Sequence, residues 1–156
     1  MTLRTTLLVL AALAAVACSP RRIPGTEIRS TADSRAVYDV VQAYRQAMEK
    51  KDAAAVLALV APNYYDTAGT PDPSDDLDRA RLETSLPQTL ASAESVKLDF
   101  TIRKIDVEGD DAQAEVFYDA FYRVTTPAVT VPRRDSDVHR IRFHKVQGAW
   151  KIVAGL

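Results

Sequence analysis

Few residues in this sequence are able to do chemistry. The chain carries one thiol, Cys18, and two imidazoles, His139 and His144. With no second cysteine, Cys18 cannot form an internal disulfide, and the fold must rest on an ordinary apolar core. The two histidines fall on opposite parities of one strand-like segment, so they point to opposite faces and do not form a metal site. No Gly-rich phosphate loop is present, and no serine, histidine and aspartate stand in a setting that signals nucleophilic catalysis. Neither metal nor cofactor is therefore expected. His139 is the kind of residue that serves as donor, acid or base near neutral pH, or that lines a pocket without reacting. Tyr44 lies on an apolar helical stripe, where a tyrosine hydroxyl seeks a partner at the rim of the core. Asp66 precedes a turn whose backbone it can bind. Tyr44, Tyr118, Tyr122 and Trp150 suit either an apolar pocket with a few polar tips or plain core packing.

The elements that must position these residues follow from periodicity. Ala36, Val37, Val40, Val41, Tyr44, Ala47 and Met48 recur at three- and four-residue spacings, which predicts a helix over 31–50 with Ser30 and Asp33 approximating a capping box. Asp52 caps a shorter helix that Pro62 ends. Tyr64 and Tyr65 read as a short strand and 68–76 as a loop. A third helix is expected over 74–91, kinked or divided at Pro87. After Ser92 the period changes to two. Val96, Leu98, Phe100 and Ile102 alternate with polar residues, and Ile105 and Val107 resume on the other parity, as a β-bulge produces. Gly109-Asp110 turns into a strand over 112–125, whose apolar face holds Ala112, Ala114, Val116, Tyr118, Ala120, Tyr122 and Val124. Phe117 and Phe121 lie on its other, more polar face, and two such rings at i and i+4 suggest an interface. A connection is expected over 127–137, then strands over 138–146 and 149–154.

Composition narrows the class. Of 156 residues, 20 are Lys or Arg and 21 are Asp or Glu, giving a net charge of −1. That balance gives no basic excess for a nucleic-acid partner and no acidic solvating tail. At 47% hydrophobic and 26% charged, the chain suits one globular domain. The N-terminus differs from the rest. Arg4 precedes an apolar run from Leu7 to Val16, too short to span a bilayer and suited to the apolar region of a signal peptide. It ends in Ala15-Val16-Ala17-Cys18, which resembles the lipobox of bacterial lipoproteins, with Ala15 where that motif most often has Leu. The resemblance implies a signal peptide over 1–17 and a lipidated Cys18 that anchors the chain to a membrane. Ala15 and Ala17 also form a site for ordinary signal-peptidase cleavage and plain secretion. Two or three acyl chains anchor stably where one does not. Ser19 resembles the sorting signal for the outer membrane of a Gram-negative envelope, facing the periplasm. Residues 18–30, with two prolines and a glycine, read as a flexible tether of reach up to about 40 Å. In it Arg21 and Arg22 are solvated or touch anionic headgroups.

The segments Val40-Val41-Gln42-Ala43-Tyr44, Lys51-Asp52-Ala53 through Ala61-Pro62, and Gly148-Ala149-Trp150-Lys151-Ile152-Val153 carry a second resemblance. In order and spacing, residues 31–156 resemble the NTF2-like (SnoaL-like) family. The resemblance implies an α+β cone, its helices packed on a curved, bulged antiparallel sheet with a pocket open at one end. Within that family the chain is similar to the ketosteroid isomerases, which set an aspartate base against hydrogen-bond donors for the oxyanion. The likeness places Tyr44 at the donor tyrosine and His139 at the donor carboxyl. Ala68 stands at the base, leaving Asp66, two residues earlier, as the substitute. Family members often dimerise through the outer sheet face, where Phe117 and Phe121 would lie. Because the family spans enzymes and domains without chemistry, two expectations follow. The first is a noncatalytic envelope lipoprotein, with Tyr44, Tyr118, Tyr122, His139 and Trp150 lining a pocket for a small apolar ligand, or with a homodimer or envelope-protein partner. The second is an isomerase- or dehydratase-like enzyme using Tyr44, Asp66 and His139.

Overall fold

A computed structural model describes residues 21–125 and 129–156. The expectations for Cys18 and the rest of the first 20 residues, and for Pro127, lie outside the described residues.

Residues 21–30 are folded rather than extended, so the tether expected over 18–30 does not include them. Pro24 and Gly25 occupy the middle of a tight turn, with Gly25 at φ +76 and Thr26 N–H donating to the Ile23 carbonyl at 3.0 Å. A Pro-Gly pair favours this geometry because Pro presets φ and Gly accepts a positive one. The turn brings Ile23 and Ile28 together, 5% and 6% exposed, as part of the core. Burying two isoleucines contributes about 1.5–3 kcal/mol each, enough to hold a short segment that lacks periodicity.

Helix α1 spans Ala32–Glu49. Its cap is Thr31 rather than Ser30, and Ser34 rather than Asp33 completes the capping box, with reciprocal bonds of 3.0 and 2.8 Å. Asp33 is thereby free to turn toward the sheet. Val37 and Val41 are fully buried on the inner stripe, and Tyr44 follows one turn later. Lys51 at φ 56 reverses the chain into α2, Ala53–Leu59, which Asp52 caps through Ala55 N–H at 2.9 Å. The α2 carbonyl end is met by cations: Arg79 reaches the Leu57 and Val60 carbonyls, and Lys151 the Ala58 carbonyl.

The short strand is Tyr65–Asp66 (β1), one residue later than expected, and it pairs with β2, Leu77–Asp78. That pairing delays the third helix: α3 runs Arg79–Ser92 with Asp78 as its cap, starting at 79 instead of 74. Pro87 lies inside this single helix and does not divide it.

The sheet is an antiparallel meander in the order β3-β4-β5-β6, comprising Ala93–Glu108, Asp111–Thr125, Thr130–Val146 and Ala149–Ala154. The bulge falls between Ile102 and Lys104, where the parity change places it. The connection expected over 127–137 is largely strand instead. β5 begins at Thr130 and pairs residue for residue with β4, from Thr125↔Thr130 to Phe117↔Val138 and on to Asp111↔His144. Pro132 is compatible because β6 pairs with β5 only over Arg142–Val146, so the first half of β5 has a neighbour on one side only. The helices lie on the inner face, where Ala114, Val116, Ile141, Phe143 and Ile152 meet Val37, Val41 and Val56.

Candidate functional site

The core does not fill the whole inner face. Between helices α1 and α3 and the sheet, over the first part of β3 and the last part of β4, lies a cavity of about 360 Å³. Tyr44 and Met48 of α1, with Leu90 and Ser92 of α3, form one wall. Val96, Leu98 and Phe100 of β3 and Val116, Tyr118, Ala120, Tyr122 and Val124 of β4 form the floor, closed by His139 and Ile141 of β5. The period-two alternation of β4 explains this: the face that is core at Ala114 and Val116 becomes cavity lining at Tyr118 and Tyr122.

The polar groups inside are three phenols, one imidazole and the hydroxyls of Thr89 and Ser92, the latter donating to the Thr89 carbonyl at 2.7 Å. Tyr44 packs on Phe100 with ring centroids 6.0 Å apart, and among the described residues its hydroxyl has no hydrogen-bond partner. Burial, with Tyr118 nearby, pushes its pKa up to about 12, so it is a neutral donor at physiological pH. Tyr118 is raised to about 12 by burial and by its bond to Asp135, whose Oδ2 accepts the hydroxyl at 3.0 Å. His139 packs edge-on against Tyr118 at 4.7 Å. No carboxylate, Lys or Arg belongs to the lining.

The expected set is therefore only partly assembled. Tyr44, Tyr118, Tyr122 and His139 share the cavity, and Trp150 and Asp66 do not. Trp150 sits on β6 over the start of α1, 5% exposed, with Nε1 donating to Asp33 at 3.1 Å and the Lys145 ammonium 4.8 Å above its ring. The cause is its place on the short last strand, which packs on the opposite end of α1 from Tyr44. The Asp66 carboxylate turns to backbone: it accepts Ala68 N–H at 2.9 Å and Gly155 N–H from the chain end, with the Tyr64 hydroxyl at 3.5 Å. Two N–H donors fix it outside the cavity, so Tyr44, Asp66 and His139 do not converge. Among the described residues no group of His, Cys, Asp and Glu is arranged to hold a metal ion.

On the outer face, Phe121 is 44% exposed and Phe117 is half-buried. Each carries a guanidinium: Arg103 lies 5.1 Å above Phe117, and Arg134 lies 4.7 Å above Phe121 while paired to Asp119 through two bonds of 2.9 and 2.7 Å. Sequence reasoning missed the rim of the cavity, where Asp135 and Asp137 stand. They fell in a stretch read as a connection, whose facing could not be assigned, although two aspartates alternating with Ser136 were a strand-compatible signal.

No protein-family model and no curated protein matches the chain. Solved structures do. A dehydratase candidate of the NTF2-like family from Streptomyces avermitilis superposes with a TM-score of 0.62 at 20% identity, covering 79% of this chain and 93% of that one. A ketosteroid isomerase-like protein from Erwinia carotovora atroseptica gives 0.66 at 14% identity, over 81% and 95%. A scytalone dehydratase candidate from Novosphingobium aromaticivorans gives 0.63 at 17% identity, over 79% and 80%. At these identities the likeness is one of fold.

Proposed function

We propose that this NTF2-like α+β domain is a noncatalytic binding module that takes a small apolar ligand in its cavity, carried by an envelope lipoprotein anchored through Cys18. The observation that supports binding is the cavity itself: about 360 Å³, walled by apolar and aromatic side chains, with the Tyr44 and Tyr122 hydroxyls unpartnered among the described residues and no carboxylate in its lining. Sites of this size and composition suit compact ligands that are oriented by a few polar contacts. Proton abstraction from carbon needs a base poised near the working pH. Here the phenols of Tyr44 and Tyr118 are held near 12 and Asp66 faces elsewhere.

Titration calorimetry of the purified full-length protein with 2-naphthol tests this reading. Binding with a negative heat-capacity change is expected, as burial of apolar surface gives. Ala120→Trp, which places an indole in the cavity, abolishes it. Absence of binding to the wild type, or equal binding to the plugged variant, overturns the proposal.

A second reading, an isomerase- or dehydratase-like enzyme, draws on Tyr44 and His139 sharing one cavity and on neighbours of that description. It would have to run without Asp66. Any activity that persists undiminished in a Tyr44→Phe, His139→Ala protein rejects these residues as its catalytic set.

A further inference from the structure

The cavity lining and the strand that rims it differ in charge, and the difference bears on what the cavity takes. Five rings line it: Tyr44, Phe100, Tyr118, Tyr122 and His139. Aromatic faces carry partial negative charge, and no fixed cation belongs to the lining to offset it. The register of β5 sets Asp137 opposite Tyr118 and Asp135 opposite Ala120. Directly paired residues share a face, so both carboxylates stand on the inner side, at the mouth. Asp135 is fixed there by the Tyr118 hydroxyl at 3.0 Å, and both aspartates contribute to the raised pKa of Tyr118, behind the effect of burial.

Among the described residues, neither aspartate is engaged by a cation. Asp137 accepts only the N–H of Val138, and Asp135 only the Tyr118 hydroxyl. The two arginines that follow each other nearby do not neutralise them. Arg134 is on the outer face, held by Asp119. Arg133 is opposite Tyr122 and so shares the inner side with the aspartates, exposed like them, but among the described residues it forms no ion pair with either. The mouth therefore holds two unpaired carboxylates beside the electron-rich faces of Tyr118 and Tyr122.

We propose that the ligand class is an organic ammonium ion, a quaternary or alkylated amine with a compact apolar body. The body occupies the cavity while the cation rests between the tyrosine faces and the rim carboxylates. This rests on the reading of the cavity as a ligand site. An anion would meet two carboxylates against the single guanidinium of Arg133 at the entrance, and a neutral hydrocarbon would leave both carboxylates unused. Aromatic faces grouped around a quaternary ammonium are an established mode of recognition.

Three probes of one shape test it on the purified full-length protein by titration calorimetry: benzyltrimethylammonium, its uncharged isostere neopentylbenzene, and benzylsulfonate. Benzyltrimethylammonium should bind about tenfold more tightly than neopentylbenzene, and benzylsulfonate more weakly than either. Asp135→Asn combined with Asp137→Asn, both at exposed positions, should shrink the tenfold preference to about threefold or less without changing neopentylbenzene affinity. Equal affinity for ammonium and isostere, with both blocked by Ala120→Trp, overturns the ammonium class and leaves the cavity as a binding site. A preference for benzylsulfonate overturns the charge argument. No binding of any probe overturns the ligand class together with the binding reading on which it rests.

Discussion

Asp66 is the residue on which the resemblance to an enzyme and the structure part, and its role is measurable. Its carboxylate holds the chain end: Oδ2 accepts Gly155 N–H, Oδ1 accepts Ala68 N–H, and Leu156 N–H donates to the adjoining Tyr64 hydroxyl at 3.4 Å. Asp66→Ala removes one exposed bond, about 0.5–1 kcal/mol, and one charge-assisted bond, about 1.5–3 kcal/mol, for a total of about 2–4 kcal/mol. Gly155→Ala attacks the same latch from the other side. Gly155 has φ +94, and a Cβ there would collide with the Arg140 carbonyl and stand 2.9 Å from Ile141 Cα. The terminal segment must then swing away and lose the same bond to Asp66. Because one contact is lost in either variant, the double variant should be less destabilised than the sum of the singles by about 1.5–3 kcal/mol. Urea unfolding followed by the fluorescence of Trp150, the single tryptophan, reads all four proteins. Additivity within about 0.5 kcal/mol, or an Asp66→Ala protein as stable as the wild type, would refute the latch.

Other outcomes follow from the same contacts. Asp33 has its pKa lowered by its bonds to Lys145 and Trp150, and Asp119 by its bond to Arg134. A depressed carboxylate stabilises the fold above its unfolded pKa and loses that contribution as pH falls through the folded value. Acid unfolding of Asp33→Asn, read by Trp150 fluorescence, should thus depend less on pH below about 4. At the alkaline end, Tyr44 and Tyr118 have pKa values raised to about 12 and Tyr64 is raised further, chiefly by burial. Their contribution is complete below the ordinary phenol range near 10 and lost as pH rises through the folded values. Phenolate absorbance should therefore show these three titrating with unfolding; early ionisation of all tyrosines in the folded protein contradicts their burial. Cys18→Ser should release the protein from membranes while leaving its unfolding curve unchanged, and a variant that still fractionates with membranes removes the anchor. If the outer face is an interface, full-length protein should associate with rising concentration in sedimentation, and Phe121→Asp should abolish it. A monomer at high concentration, with no partner recovered by envelope crosslinking, removes that proposal.

The fold was legible wherever local pattern and tertiary demand agreed. The β3 bulge shows as a change of parity between Ile102 and Ile105, and the cavity face of β4 as seven alternating small and aromatic residues. Local pattern failed where long-range partners overrode it. Nothing around Pro132, Arg133 and Arg134 favours a strand, but the 15-residue β4 supplies a complete row of backbone partners for 130–138. Ile23 and Ile28 are too sparse to show a period, and only closure of the Pro24-Gly25 turn makes them neighbours. Half of the site was readable for the same reason. Tyr44, Tyr118 and Tyr122 lie on faces that periodicity defines. The turn bond of Asp66 to Ala68 was legible locally, but its hold on Gly155, 89 positions away in sequence, was not, and Trp150 was placed in the pocket although its indole N–H is claimed by Asp33, 117 positions away.

Tyr44 separates a folding role from a binding role more sharply than any other position. A tyrosine on a helical core stripe usually finds a partner for its hydroxyl, and removing a bonded hydroxyl costs about 1 kcal/mol. Here the ring packs on Phe100 and the hydroxyl reaches the cavity without a partner among the described residues. Tyr44→Phe keeps the ring contact and removes only an unpaired polar atom, so the folded state loses no bond and the stability should be unchanged or raised by up to about 1 kcal/mol. The same change should weaken a ligand that offers the hydroxyl a partner and leave one of similar shape without such a group untouched: 2-naphthol should bind several-fold less tightly, and naphthalene equally well. Differential scanning calorimetry and the two titrations distinguish these outcomes. A Tyr44→Phe protein destabilised by about 1 kcal/mol or more would mean, at the value of one bonded hydroxyl, that this group is already engaged in the fold. The cavity would then have lost one of the free donors that orient what it binds.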